Sequence, residues 1–185
     1  MDNCSLKFKP IVDNKDLVPS CIYEFVNNLE NEEEKKDFLV AEILPNEADG
    51  HILCKHYNIK EECGYNCLIV ECKRNDIIKY CALMVPVGYR YNMGSVVRKY
   101  TNSRTVSVAN LEYVLNSTGM EYGSITPIGL PNEWKILVDS SILKQEQIVI
   151  GGGLVKSKIS LPVNIFLKLP NVEIVGGIAK PVEEK

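Results

Sequence analysis

The stretch GMEYGSITPIGLP (Gly119–Pro131) gathers the residue types that chemistry at a carbonyl group would need. Glycines stand at 119, 123 and 129, prolines at 127 and 131, and hydroxyls at 122, 124 and 126. Glycines flanking a rigid proline turn can fix backbone N–H groups around one point, which suits a carbonyl oxygen or an oxyanion. The same residues also make an ordinary tight turn, and the residues alone leave both readings open. A second cluster, Gly151–Gly153, leads into a strand and lacks the pattern G-x-x-x-x-G-K-[ST], so it is no phosphate loop. It permits a positive backbone dihedral or the close approach of a ligand to the main chain.

Metal and thiol chemistry have less behind them. His51, Cys54 and His56 lie close together with Cys63 and Cys67 downstream, but no C-x-x-C pair exists, and zinc needs convergent ligands. On a helix His51 and Cys54 share a face that His56 does not. Buried thiols and surface histidines account for the group. A cysteine nucleophile needs a base within hydrogen-bond reach, and two histidines with seven cysteines identify no pair. Cys67 and Cys72 sit inside an apolar run, where a thiol behaves as a small hydrophobe.

These residues need elements to position them. Pro19 opens a helix at its first position, with Ile22, Phe25, Val26 and Leu29 as its apolar stripe. The tract NLENEEEKKD ends that segment in exposed charge. A partner-binding helix is the alternative to one packed on the body. FLVAEI reads as a strand, and residues 49–57 as a short helix. CLIVEC (67–72) and IIKYCALMV (77–85) read as two strands of a hairpin joined by KRND. A helix is predicted over 92–100 and a strand over 105–108. Asn110 then caps a helix LEYVLNST that Gly119 stops. Strands follow at 135–138, 147–150 and 155–161. Pro162 starts a helix VNIFLKL, and the last strand covers 172–175. Strands interrupted by short helices indicate an α+β fold with a mixed sheet.

Composition bounds the answer. The 185 residues, 45% hydrophobic and 24% charged, suit one globular domain. No apolar run approaches the roughly 18 residues of a membrane span. The start, MDNCSLKFKP, lacks the pattern of a signal peptide, so the cysteines are expected reduced, in cytoplasm. The net charge of −3 divides into −4 over residues 1–37 and +1 over the remainder. A chain that grips nucleic acid by itself usually carries a basic surplus. Any such contact here must be local, transient or shared with a partner.

Taken together, T-G-x-x-x-G-x-x-x-P-x-G (Thr118–Gly129), I-L-V-D (Ile136–Asp139) and the strand ending in Gly151–Gly153 resemble the YbaK/prolyl-tRNA-synthetase-associated-domain family. The resemblance covers about Phe38 to Ala179, and TGMEYGSITPIGLPNEWKILVD is similar to one bacterial branch of it. It implies a mixed, barrel-like sheet with short helices packed outside. It also implies hydrolysis of the ester joining a wrong amino acid to a tRNA 3′ end, without metal or cofactor. The turn Gly123–Pro127 would place backbone donors at the aminoacyl carbonyl. A family lysine at the head of a strand would orient ester and water, but that position is Asn66 here, and the following threonine is Cys67.

Asparagine supplies only an amide dipole where lysine supplies a full charge. Three readings stay open. Asn66 orients the ester or water, or Lys156 or Lys158 supplies the charge from one shared strand face, or the site binds without cleaving. The resemblance thus implies Asn66, Gly123 and Thr126 as catalytic. Tyr122, Ser124, Ile125, Pro127 and Gly129 are implied for substrate binding, with Asp139, Gly151, Gly152, Gly153 and Lys158. The expected organisation is an N-terminal helical extension (1–37), an editing domain (38–180) and a tail (181–185). The expected function is a free-standing deacylase acting in trans on mischarged aminoacyl-tRNA. A non-hydrolytic aminoacyl- or nucleotide-binding module is the alternative. The expected partners are the tRNA 3′ end and an aminoacyl-tRNA synthetase, with no membrane or DNA. The apolar N-terminal helix and exposed cysteine would allow a dimer.

Overall fold

The run CALMV in IIKYCALMVP has no polar face, so it belongs at the centre of a sheet covered on both sides. The computed structural model describes residues 4–182 and places it there. Residues 1–3 of the expected extension and 183–185 of the expected tail lie outside the described residues. In chain order the elements are β1 (Lys9–Pro10), α1 (Ser20–Asn27), α2 (Glu32–Asp37), β2 (Leu39–Glu42), α3 (Gly50–His56) and β3 (Tyr65–Arg74). Next come β4 (Ile77–Pro86), β5 (Tyr89–Tyr91), α4 (Ser95–Thr101), β6 (Thr105–Val108) and α5 (Leu111–Thr118). The chain ends with β7 (Lys135–Asp139), β8 (Gln147–Gly151), β9 (Ser157–Pro162), α6 (Val163–Phe166), β10 (Val172–Val175) and β11 (Ala179–Pro181).

One sheet has the order β10-β7-β4-β3-β6, with β7 parallel to both β4 and β10 and the remaining pairs antiparallel. The other, β1-β2-β9-β8, is antiparallel throughout. A parallel bridge between Gly64 and Val149 joins the edge of the second to the start of β3. This is the α+β fold with a mixed sheet and short helices that the sequence predicts.

Alternation along β4 divides the core. Ala82 and Met84 face a cluster shared with Val40, Ile69, Ile136, Ile150, Ile159 and Phe166, whereas Cys81, Leu83 and Val85 pack under α4 with Val70, Cys72 and Val97. A third cluster lies beneath α3, where Ala41, Leu53, Cys54, Val87 and Val149 meet. The N-terminal segment joins the first cluster through Ile11, Ile22 and Val26, and β1 pairs with β2. Among the described residues no helix is long and apolar enough to cross a membrane.

Several boundaries move for identifiable reasons. Pro19 is the residue before α1 and extended (φ −68, ψ 161), one place earlier than expected. Part of the charged tract forms its own helix, α2, because the Asn31 side chain accepts from Glu33 and Glu34 N–H. β3 and β4 run on through Lys73 and Arg74, so the turn is Asn75–Asp76, with Asn75 at φ 54. The helix expected from Asn92 begins at Ser95, because Tyr89–Tyr91 is drawn into a strand by β11. β11 itself carries order into Pro181, the first residue of the expected tail. β9 starts at Ser157 instead of Val155, since Ser157 N–H closes a turn on Leu154 O (3.0 Å).

Ile22 tests the union of the N-terminal segment with the body, because it is fully buried. Ile22→Ala should lower stability by about 2–5 kcal/mol in a single cooperative urea transition. An early separate transition would show that the segment unfolds by itself.

Candidate functional site

β3 pairs with β4 along its whole length but with β6 only from Val70 to Lys73. Over the preceding residues its other edge diverges from β8, leaving a cleft beyond the Gly64–Val149 bridge. A cavity of about 780 Å³ fills this divergence. Its walls are β3 (Tyr65–Ile69), the start of α3, the β6–α5 junction, Tyr122–Ile125, and β8–β9 at Gly151 and Lys158.

Local sequence explains each wall. The Asp49 side chain caps α3 by accepting from His51 N–H (3.1 Å) and Ile52 N–H (3.3 Å). Asn110 Oδ1 accepts from Tyr113 N–H (2.9 Å), and Gly119 stops α5 at φ 67, both as predicted. Tyr113 of α5 stacks on Tyr80 of β4 with centroids 4.5 Å apart, and Tyr80 in turn packs on Trp134. That stack fixes α5, so Leu111 and Val114 face the cavity.

The turn 121–125 lies directly on the β8–β9 connection. A Cβ at Gly151 would stand 2.6 Å from Ser124 O, so only a residue without a side chain admits this approach. Glu121 N–H donates to Gly153 O (2.7 Å), Gly153 N–H to Ser124 O (2.9 Å) and Ser124 Oγ to Leu154 O (2.8 Å). Gly123 takes φ 84. The N–H groups of Gly123 and Ile125 have no backbone acceptor among the described residues, and both residues line the cavity.

Lys158 is the cation of this cavity. It pairs with Gly151 in the β8–β9 register, is 7% exposed, and donates from Nζ to Ala48 O (2.8 Å). Among the described residues it has no carboxylate within ion-pair distance. Burial holds its pKa below the usual lysine value. Asn66 is exposed at the cavity wall, with Oδ1 3.5 Å from the point where a Cβ on Gly50 would stand.

The structure therefore brings Asn66, Tyr122, Gly123, Ile125, Gly151 and Lys158 to one cavity. It places the other expected residues elsewhere. Thr126 is fully buried off the cavity, and its hydroxyl has no partner. Ser124 is also buried, its hydroxyl spent on Leu154 O. Pro127 and Gly129 face the opposite side, where Gly129 abuts the Cys21 carbonyl of α1. Asp139 accepts from Ser141 N–H (3.0 Å) and Ala179 N–H (3.2 Å), a bond set that ties β7 to β11. Gly152 packs on Ser157, and Gly153 on Pro19 and Ile22. Lys156 does not share the face of Lys158: β9 begins after it, and its carbonyl accepts from Ile43 N–H (2.8 Å).

Sequence reasoning did not place Asp49, His51, Cys54, Val87, Tyr91 or Ala109 at a common cavity, where all six stand. The capping aspartate was the available signal for the first two. His51 Nδ1 meets Glu61 Oε1 at 2.9 Å, and that hydrogen bond raises its pKa. His56 turns away to Glu47 (3.2 Å), so the two histidines do not converge. Burial pushes the Cys54 thiol up to about 11 and also raises Cys67. Protonated thiols are poor nucleophiles, which leaves the cavity with a buried cation, free backbone donors and an exposed amide.

The aminoacyl-tRNA editing domain, as a family, matches residues 46–169. Among curated proteins none matches the chain. Among solved structures, the hypothetical protein APE2540 superimposes with a TM-score of 0.70 at 16% identity, over 87% of this chain and 100% of its own. A candidate trans-editing enzyme for prolyl tRNA synthetase gives 0.68 at 14% identity, over 86% of this chain and 99% of its own. At such identities the two structures establish likeness of fold.

The lowered pKa of Lys158 has a consequence for stability. The folded state binds fewer protons than the unfolded one between the lowered value and the ordinary lysine value of 10.5, so stability rises with pH across that window. Lys158→Met removes a buried unpaired charge at similar volume. Its melting temperature should equal or exceed that of the parent near about pH 7, and the gap should shrink towards about pH 10. A lower melting temperature at both values would show that the lysine stabilises the fold.

Proposed function

The chain belongs to the aminoacyl-tRNA editing domain family, and on that premise we propose that it is a deacylase that hydrolyses the ester of mischarged tRNA in trans. The observation that carries this reading is Lys158, a buried lysine with no carboxylate partner, beside the open N–H groups of Gly123 and Ile125. Water adds to the aminoacyl carbonyl, and the carbonyl oxygen becomes an oxyanion. The Gly123 and Ile125 N–H groups and the Lys158 ammonium stabilise that charge. An ammonium has three donors; one holds Ala48 O and two remain for substrate. The tetrahedral intermediate then expels the ribose oxygen, which takes up the proton that the added water gives up, giving free amino acid and uncharged tRNA. Asn66, at the cavity wall, orients ester or water. The editing of a tRNA charged elsewhere is supported by the 99% coverage of the chain of the candidate trans-editing enzyme.

In this reading the positive charge that the family places on the Asn66 strand comes from across the cleft. The exposed amide of Asn66 also favours a second reading, in which the cavity binds an aminoacyl-adenosine group without cleaving it. Incubation with a panel of mischarged tRNAs separates the two. Deacylation above background is expected for at least one amino acid. Binding of an unreactive aminoacyl-adenosine analogue without turnover of any ester would establish the second.

Three variants test the roles. Lys158→Met should reduce turnover about 100-fold or more, as for loss of one oxyanion donor. Asn66→Ala should weaken turnover or binding about tenfold, roughly 1.4 kcal/mol. Asn66→Lys should lower activity, because a second cation in the cavity repels the first and depresses its protonation. A rise in activity for Asn66→Lys would show that Lys158 has not taken over the charge.

A further inference from the structure

We propose that the sheet face covered by α4 carries a docking surface for the phosphate backbone of RNA, formed by Arg74, Lys79, Arg98, Lys99 and Arg104. It rests on the editing reading, since it says how that reading's substrate is held outside the cavity. The register puts these residues together. Cys72 lies opposite both Lys79 and Val106, and Thr105 lies opposite Lys73. Arg74, Lys79 and Arg104 therefore share the face on which Cys72 is buried. α4 covers that cysteine, because Val97 of the helix packs in one buried cluster with it. The exposed Arg98 and Lys99 thus stand over the same ground.

Four lysines elsewhere pair with carboxylates: Lys35 with Glu32, Lys36 with Glu33, Lys168 with Glu34 and Lys135 with Glu173. Among the described residues none of the five has a carboxylate within ion-pair distance. Glu71 lies on the opposite face with Tyr80, as does Lys73 with Ile78, and Asp76 belongs to the hairpin turn. Helix capping accounts for Arg74, whose Nε donates to Asn102 O (2.8 Å). It leaves Lys79, Arg98, Lys99 and Arg104 without a side-chain acceptor or ion-pair partner among the described residues. A chain with net charge −3 keeps an uncompensated cationic patch here.

Continuity with the cavity selects the partner. β6 runs from beside Arg104 to Val108, which lines the cavity, a path of four residues or about 13 Å. A single-stranded 3′ end seated in the cavity leads back along β6 to phosphates at the patch. Arginine and lysine together suit phosphate, the guanidinium as a fork and the ammonium as a point charge.

The test titrates bulk deacylated tRNA by fluorescence anisotropy over a range of salt, with the parent and the variant K79Q/R98Q/K99Q/R104Q. The variant should bind tRNA at least about tenfold more weakly, with the slope of log K against log salt reduced by about 3. Binding of the unreactive aminoacyl-adenosine analogue should be unchanged, showing that cavity and fold are intact. Unchanged tRNA affinity and slope would overturn the proposal, as would a parent that binds no tRNA. So would a variant that loses poly-glutamate binding but keeps tRNA, which would assign the patch to an acidic protein. If the patch substitutions abolish tRNA binding while the parent deacylates no ester, the docking surface stands and the hydrolytic reading falls.

Discussion

The cavity depends on one backbone-to-backbone contact, the seating of Glu121–Ile125 on Gly151–Gly153. Two main-chain hydrogen bonds and one from the Ser124 hydroxyl hold it. It requires Gly151 to have no side chain, because Ser124 O occupies the space a Cβ would take. The bonds use the Glu121 N–H and the Ser124 carbonyl, and among the described residues the Gly123 and Ile125 N–H groups have no backbone acceptor. Donors that are fixed before substrate arrives need no reorganisation during reaction, which is where such sites derive their effect. The same contact sets the turn beside Lys158, because Lys158 is the β9 partner of Gly151.

Electrostatics divide the molecule into two regimes. On the acidic α2 the charges are exposed and paired, and pairs of that kind contribute little stability. Lys158 is the opposite case, a cation taken out of water that donates to one carbonyl and feels the Asp49 carboxylate only beyond ion-pair distance. Burial of that kind costs stability. The fully buried Thr126 hydroxyl, which has no partner, is a smaller expense of about 1–3 kcal/mol. Its neighbour Ser124 holds the turn through Leu154 O, and Pro127 faces away from the cavity.

Two residues singled out for the site prove to have scaffold geometry. Asp139 joins β7 to β11 through two backbone N–H groups. Gly129 gives α1 room to approach, which locks the N-terminal segment over the far side of the turn. Motif residues here serve the placement of the cavity as much as its lining. A substitution at either would change the site through the backbone and would be difficult to tell from a direct effect.

Local signals in the sequence determined the elements. The Asn110 cap and Gly119 stop bounded α5, the two-faced apolar run of β4 marked a central strand, and the glycines of 119–131 marked turns of positive φ. Each rests on short-range physics: a side chain meeting its neighbour's N–H, a backbone angle, a period of two. The strands β1, β5 and β11 were not legible, because each is two or three residues long and exists only through its partner. Nor was the choice between Lys156 and Lys158, which turned on where β9 begins. That start is fixed by the Ser157–Leu154 turn, and it buries one lysine while leaving the other outside the strand. The cationic patch was hidden in a near-neutral total, since Arg74, Lys79 and Arg104 come from three strands that meet only through register. Tertiary structure decided these points because burial and proximity belong to the folded chain, and residues distant in sequence acquire a common environment only when strands pair.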